Sequence, residues 1–362
     1  MSGLLLEGMK NTNESLERVM RWFHHEPTDR APIRFWDCHS EQSNSLEVVK
    51  RKMSDYPDLK AYWFDAEARV SDYMERIKGK EFFGESFPVY YPNLGPGVYA
   101  SFFGVELVYG ETTSWTKHVR GGSSAIDLNH LKFDVKSETF EQIGKMTAAA
   151  VKKASGSFIV GYTDLHPSMD CVADFVGSEQ LCVDLYECPD KVKEISGLAC
   201  DSFPFVLEHF SKSLAGFPSV SWLGIPAMQT MHIPSCDYSS LISTAQFEEF
   251  CLPSILREVK MAPYQIFHMD GRGVARHLEI LLSIPEINAI QWVQGAGRDE
   301  SIFDWIPLIK RIQTSGKGIV VNLKKNELSR FMTEVKPKGI FLNVEATPQE
   351  QPDILHSIRG WI

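Results

Sequence analysis

The amino-acid sequence predicts an α/β protein organised around a parallel sheet. Three observations carry this. Short β-rich runs recur at 157–163, 219–223, 264–269, 289–293, 318–322 and 339–344. Between them lie segments with apolar residues at helical spacing, such as Gln246-Phe247-Glu248-Glu249-Phe250-Cys251-Leu252 and Val274-Ala275-Arg276-His277-Leu278-Glu279-Ile280-Leu281-Leu282. A seventh β-rich run, 31–35, precedes them all. Strands alternating with helices of roughly 10 to 15 residues make βαβ units and therefore a parallel sheet. This many units suits a (β/α)8 TIM barrel better than an open sheet, although the period alone does not separate the two.

The chain has 362 residues, 43% of them hydrophobic, enough for one large core. No Ser/Gly linker, charge block or fixed-period repeat divides it, so a single domain over 1–362 is expected. The rhythm breaks between 73 and 130. Here Gly, Pro and aromatic residues crowd together in Phe82-Phe83-Gly84, Tyr90-Tyr91-Pro92-Asn93-Leu94-Gly95-Pro96-Gly97 and Phe102-Phe103-Gly104. A long irregular stretch inside a compact domain usually carries function. It reads as an excursion covering the barrel mouth.

Composition excludes several classes. The net charge of -10 repels a phosphate backbone, so nucleic acid is not an expected partner. Leu4-Leu5-Leu6 is too short for a signal-peptide core, and no apolar run reaches membrane length. A soluble, cytoplasmic protein is expected. Seven scattered cysteines with no Cys-x-x-Cys argue against a disulfide framework. Cys182 and Cys200 fall in apolar helical patterns and read as core residues; Cys236 does not.

Reacting groups in a β/α barrel sit where strands end and βα loops begin. The polar residues after each β-run are therefore the candidates. Tyr162-Thr163-Asp164-Leu165-His166 places Asp164 and His166 two apart on one face of an extended segment. They read as catalytic groups, or as a helix cap and a surface histidine. Cys236 and Asp237 offer a thiolate and a carboxylate, or Asp237 caps the next helix. His268-Met269-Asp270 delivers an imidazole and a carboxylate to one face of a strand end. That pair can hold a divalent metal or be a plain hydrogen-bonded couple. Gly271-x-Gly273 is a weak nucleotide signal, lacking a third glycine and a later acidic residue. Gln291 and Trp292, followed by Gly295-Ala296-Gly297, suit a pocket wall for an organic substrate. Glu345 ends the last β-run as a carboxylate facing the mouth, or precedes a helix cap.

From His268 to Gly297 the sequence resembles the uroporphyrinogen decarboxylase superfamily. This group includes the decarboxylase and zinc-dependent, corrinoid-linked methyltransferases. His25-Glu26-Pro27-Thr28-Asp29-Arg30-Ala31-Pro32 is similar to the family's opening. Cys236-Asp237-Tyr238-Ser239-Ser240-Leu241-Ile242-Ser243 is similar to the segment around its substrate-binding serine, with Asp237 at that place. The stretches 250–254 and 347–355 continue the likeness, which thins between 78 and 153.

The resemblance implies a barrel, and it also marks departures. Where the decarboxylase carries an arginine-rich loop, this chain reads Ile33-Arg34-Phe35-Trp36-Asp37-Cys38-His39, which cannot clamp a many-carboxylate substrate. The decarboxylase's late histidine falls near Glu345, where there is none. The methyltransferase branch binds zinc through His-x-Cys and a late Cys. Carried over, these become His268, Asp270 and Glu345, with Cys236, water or substrate as the fourth ligand. A harder donor set leaves zinc a stronger Lewis acid, suited to a methyl ether oxygen.

The resemblance thus implies a methyltransferase moving a methyl group from a small methylated compound to a corrinoid protein. In it Asp237, His166 and Asp164 are catalytic, while Trp36, Tyr162, Gln291, Trp292 and Trp115 shape the pocket. A homodimer is common in the family. The alternatives are a metal-free decarboxylase-like lyase, with Asp237, His166 and Arg34 handling a carboxylate, and a non-enzymatic tetrapyrrole-binding protein.

Overall fold

The computed structural model describes residues 4–36, 53–295 and 301–361. Its strands are β1 (Ile33–Trp36), β2 (Val89–Tyr90), β3 (Leu107–Tyr109), β4 (Ser114–Thr116), β5 (Ile159–Val160), β6 (Met231–His232), β7 (Tyr264–Asp270), β8 (Ala289–Val293), β9 (Gly318–Lys324) and β10 (Ile340–Glu345). Six of them form a curled parallel sheet in the order β1-β10-β9-β8-β7-β6. Ile-, Val- and Phe-rich runs such as Ile319-Val320-Val321 and Ile340-Phe341-Leu342 are buried on both faces, as a helix-covered parallel sheet requires.

Among the described residues, regular pairing does not close an eight-stranded ring. Instead β2 pairs only with β5, and β3 with β4 forms an antiparallel hairpin. Between β1 and β2 a backbone bond runs from Glu85 N to Ile33 O (2.7 Å), and Tyr162 N donates to Val220 O (3.0 Å) beyond β5. The run 219–223 makes only an isolated bridge, Ser219 to Ala227. Gly224 has φ +71°, and Pro226 lacks an N–H, so the chain there turns back rather than extending a ladder.

The irregular stretch is more than an excursion. It supplies β2 to the parallel pairing, and two-residue strands leave no period to read. Its hairpin carries Trp115, which is 59% exposed and faces solvent instead of lining a pocket.

The first helix, Thr12–Phe23, packs against the starting ends of the strands. Trp22 meets Phe341 edge-on at 5.3 Å and donates Nε1–H to Gly339 O at 2.8 Å, while Phe23 lies 5.0 Å from Tyr264. A Cβ on Gly318 would fall 2.9 Å from the Trp22 ring. This end is therefore filled, which leaves the opposite strand ends for chemistry. The Arg30 of the opening motif is structural. Glu85, fully buried, accepts from Arg30 Nη1 and Nη2 (2.8 and 2.9 Å), Arg18 Nη1 (2.7 Å) and Ile33 N (2.6 Å). That clamp aims β1 into the sheet.

Candidate active site

At the terminal ends of β7 and β8 the sequence turns polar. His268 and Asp270 alternate with buried Met269, so both side chains leave the same face of β7. Gly271 follows with φ +77°, a conformation that reverses the chain at once. Gly273 packs where a Cβ would lie 2.5 Å from Ser240 Cβ and 2.9 Å from its carbonyl oxygen. The Gly-x-Gly pair thus serves the turn and its close approach to 239–241, not a phosphate.

That approach brings the 235–238 loop beside β7. Asp237, His268 and Asp270 each place one ligand-type atom within 4.8 Å of the others. His268 Nδ1 lies 2.8 Å from Gln291 Oε1 on the neighbouring strand, in register with it. An amide oxygen only accepts, so Nδ1 carries the proton and Nε2 keeps the lone pair, the arrangement a metal-ligating histidine takes when its other nitrogen donates to a neighbour. Asp270 Oδ1 is buried without a hydrogen-bond partner. Trp222 meets the His268 ring edge-on at 5.2 Å, its own Nε1 also buried and unpartnered.

A second group adjoins the first. His166 Nε2 is 2.9 Å from Asp164 Oδ1. Burial alone would push the imidazole down, but Asp164, Asp170 and Asp237 outweigh it and hold its pKa at about 10. It is therefore an imidazolium at neutral pH, and its Nδ1–H is buried with no acceptor. Asp237 keeps one side open to water, yet the protein around it and the charge of Asp170 push its pKa up to about 6. Asp174, behind, is pushed up to about 7 by burial and then by Asp170.

Asp170 is the hinge of this arrangement. It lies in the first turn of the helix Met169–Val176. Its carboxylate accepts from Ser235 Oγ (2.8 Å), Asp237 N (3.0 Å) and Tyr238 N (2.9 Å), fastening the loop that presents Asp237.

The other expected residues sit elsewhere. Cys236 is fully buried against Cys251, which with burial raises its thiol well above the ordinary range, and it is outside the Asp237–His268–Asp270 set. Glu345 is also outside that set. It ends β10 beside Trp36 and Lys324, with β9 and β8 between it and β7. Tyr162 is 1% exposed, and its hydroxyl donates to Met231 O at 2.9 Å. Trp292, fully buried, leaves β8 on the face opposite Gln291 and packs on Trp305 at 4.4 Å. Trp36 is half-buried, its Nε1 without a partner. Asp37, Cys38, His39, Ala296 and Gly297 lie outside the described residues.

No protein-family profile matches the chain, and no curated protein matches it. A solved structure does. It is a methyltransferase from Methanosarcina mazei, with a TM-score of 0.63 and 13% identity, covering 95% of this chain and 98% of that one. At that identity the likeness speaks for the fold.

Sequence reasoning missed Asp170, Trp222 and the orienting role of Gln291. Asp170 follows Asp164 and His166 by six and four residues, but nothing local marks it beyond an acid in a helix's first turn. No helix among the described residues is long and apolar enough to cross a membrane.

Proposed function

We propose that this chain is a methyltransferase that moves a methyl group from a small methylated compound, such as a methyl ether, to a corrinoid held by a partner protein. The observation that carries the reading is the convergence of Asp237, His268 and Asp270 within 4.8 Å beside a protonated His166. The fold shared with a protein named a methyltransferase supports it, as does the resemblance in sequence. On this reading the curled sheet and its bridging hydrogen bonds are one barrel domain spanning 1–362.

The donor set fits a divalent ion such as zinc. It offers one imidazole lone pair and two carboxylates, one of them with a buried oxygen that no protein group satisfies. Asp237, His268 and Asp270 would hold the ion, and Gln291 would fix the His268 tautomer. Bound there, it would supply Lewis-acid polarisation of the donor's leaving oxygen.

The chain's own groups do the rest. On this reading the donor's C–O bond would break, its electron pair leaving on the oxygen while the methyl carbon goes to the reduced corrinoid acceptor as the second substrate. The departing oxygen needs a proton, and His166 Nδ1–H is a charged donor with nothing else to bond. Asp164 holds the ring and stabilises its cation through Nε2. Trp222, edge-on to His268, packs against one side of that imidazole and helps fix its position.

Elemental analysis of purified protein, with methyl transfer to reduced free cobalamin, tests this. Zinc near one equivalent, lost in His268→Ala along with transfer, is expected. Protein that binds no divalent metal yet releases carbon dioxide from a carboxylic acid substrate would establish the lyase instead.

A further inference from the structure

The inner face of the sheet carries a second polar wall beside the candidate ligands. Sheet order keeps β1 and β7 apart, with β10, β9 and β8 between them. Yet Arg34 of β1 donates to Leu223 O, and the adjacent Trp222 meets the His268 ring of β7 at 5.2 Å. Residues so far apart in the sheet reach one segment only if both stand on its concave side. Cross-strand register carries that side over the strands between. Arg34 lies beside Asn343, Asn343 beside Asn322, and Gln291 beside His268. Gln291 is also level with Val320, two residues before Asn322 on β9, so these polar side chains all face inward. Near the strand ends this face is half-open, at Arg34, Asn322 and His268, while the alternate residues Phe35, Leu323 and Met269 are buried on the outer face.

The hydrogen bonds along this wall run one way. Arg34 Nε donates to Asn343 Oδ1 at 3.2 Å. A guanidinium has no acceptor, so it fixes which way the Asn343 amide points. Asn343 Nδ2 then donates to Asn322 Oδ1 at 2.7 Å, which fixes the second amide in turn. Gln291 spends its oxygen on His268 Nδ1–H at 2.8 Å. Each amide oxygen is thus engaged. Left over are the N–H groups of Asn322 Nδ2 and Gln291 Nε2, which have no acceptor among the described residues. They come from the neighbouring strands β9 and β8, a spacing of about 4.8 Å. Asn322 is partly open to solvent. This stretch of wall therefore offers donors, whereas the adjoining Asp237–His268–Asp270 corner offers acceptors.

We propose that Asn322 and Gln291 form a carboxylate-binding subsite of the cleft, so that the methyl donor is a methyl ether bearing one carboxylate. The identity of the other end of the molecule rests on the methyl-transfer reading; the subsite itself does not. Amide N–H groups bond an ionised acceptor roughly twice as strongly as a neutral one. A hydroxyl or an ammonium group would bring hydrogens to amides whose oxygens are already engaged. Two strand spacings, about 10 Å, separate β7 from β9. A short linear molecule spans that interval, with its ether oxygen at the Asp237–His268–Asp270 corner and its carboxylate at β8 and β9, away from the acidic side chains that would repel it. In this role Asn322 sets specificity by touching the ligand, and Asn343 and Arg34 act through it by holding its amide in one orientation.

The probes are 4-methoxybutanoate and 1-methoxypentane, which has the same chain but ends in a methyl group, each titrated calorimetrically into the intact protein. The acid should bind about tenfold tighter or more, the worth of a hydrogen bond to a charged acceptor. Asn322→Asp keeps an oxygen for Asn343 Nδ2 and replaces the N–H groups by a second carboxylate oxygen. It removes no candidate metal ligand, so affinity for the acid should fall about tenfold or more while 1-methoxypentane binds as before. Crystals soaked with the acid should show its carboxylate on Asn322 Nδ2 and Gln291 Nε2. Should Asn322→Asp fail to fold, those crystals and the parent's preference decide. Equal affinity for the two probes, an acid affinity that Asn322→Asp leaves unchanged, or a carboxylate seated on the Asp237–His268–Asp270 corner overturns the proposal. Methyl transfer is read separately: acid bound at Asn322 with no transfer to reduced cobalamin would sink the transfer reading and leave the subsite standing.

Discussion

Replacing Asp170 by alanine removes no candidate ligand and no reacting group, yet it should loosen the site. Its carboxylate accepts three hydrogen bonds, from Ser235 Oγ, Asp237 N and Tyr238 N. They do not count equally. The serine hydroxyl can rotate to another acceptor, and Asp237 N lies at a solvent-open residue where water can replace the lost partner. Tyr238 is 3% exposed, so its N–H is stranded, which costs about 1–3 kcal/mol. Bonds to a charged acceptor contribute about 1.5–3 kcal/mol each, so the two better-replaced ones together lose about 1–2 more. Against this, removing one carboxylate relieves its repulsion of Asp237 and Asp174, which returns about 1 kcal/mol. The net loss is about 1–4 kcal/mol, read as a lower urea midpoint with unchanged slope. Divalent-metal affinity should fall roughly 10- to 100-fold, as when the groups that orient metal ligands are removed. Asp170→Asn, which keeps a neutral acceptor, should lose less of both. An Asp170→Ala protein within about 0.5 kcal/mol of the parent and with equal metal affinity would show that the loop is held by something else.

Further outcomes follow from the same geometry. Glu85→Ala strands two arginines in the interior and should cost about 3–5 kcal/mol, measured by urea unfolding. Gly273→Ala pushes a methyl group into Ser240 and should cost about 1–3 kcal/mol, with metal affinity falling in step; a neutral result would place the loop elsewhere. His166 has a folded pKa of about 10, above its free value of 6.5, so its contribution to stability is complete below pH 6.5 and is lost as pH rises through 10. His166→Gln should flatten that alkaline loss, checked by unfolding midpoints between pH 7 and 11. On the proposed chemistry, methyl transfer also declines through pH 10, and the variant's residual rate loses that dependence.

Much of the fold was legible because long apolar strands announce themselves. The run at 289–293 forms β8 over those residues, and 264–269, 318–322 and 339–344 lie almost wholly within β7, β9 and β10. The failures share one cause. Where strands shrink to two residues, as in β2, β5 and β6, pairing is decided by what the chain packs against, and a period of two cannot show in two residues. The site divides likewise. His268 with Asp270 was readable because spacing on a strand sets which side chains share a face, whereas Asp164 and His166 meet on the irregular segment beyond β5. Cys236 and Trp292 illustrate the limit. Each is adjacent in sequence to a residue at the cleft, Asp237 and Gln291, and each turns the other way, into the core. A motif names the neighbourhood; the alternation of faces decides which neighbour arrives.

The electrostatics of this corner argue that its carboxylates are there for a ligand. Asp164, Asp170, Asp174, Asp237 and Asp270 converge on two imidazoles, His166 and His268. Like charges that close destabilise a fold, and here burial first and then the charge of Asp170 hold Asp237 and Asp174 above the usual carboxylate range. A purely structural corner would do better with amides, which keep the hydrogen bonds without the repulsion. Asp170 could be asparagine and still accept from Tyr238 N, and Asp270 gains nothing from the protein for its bare Oδ1. The unfavourable charge is instead what a divalent cation relieves, so metal binding and folding should be coupled. Adding zinc to chelator-treated protein should raise the melting temperature, while Asp270→Asn should be at least as stable as the parent without metal and gain little from its addition. If Asp270→Asn is instead less stable in the absence of metal, the carboxylate is structural and the case for a cation at this corner fails.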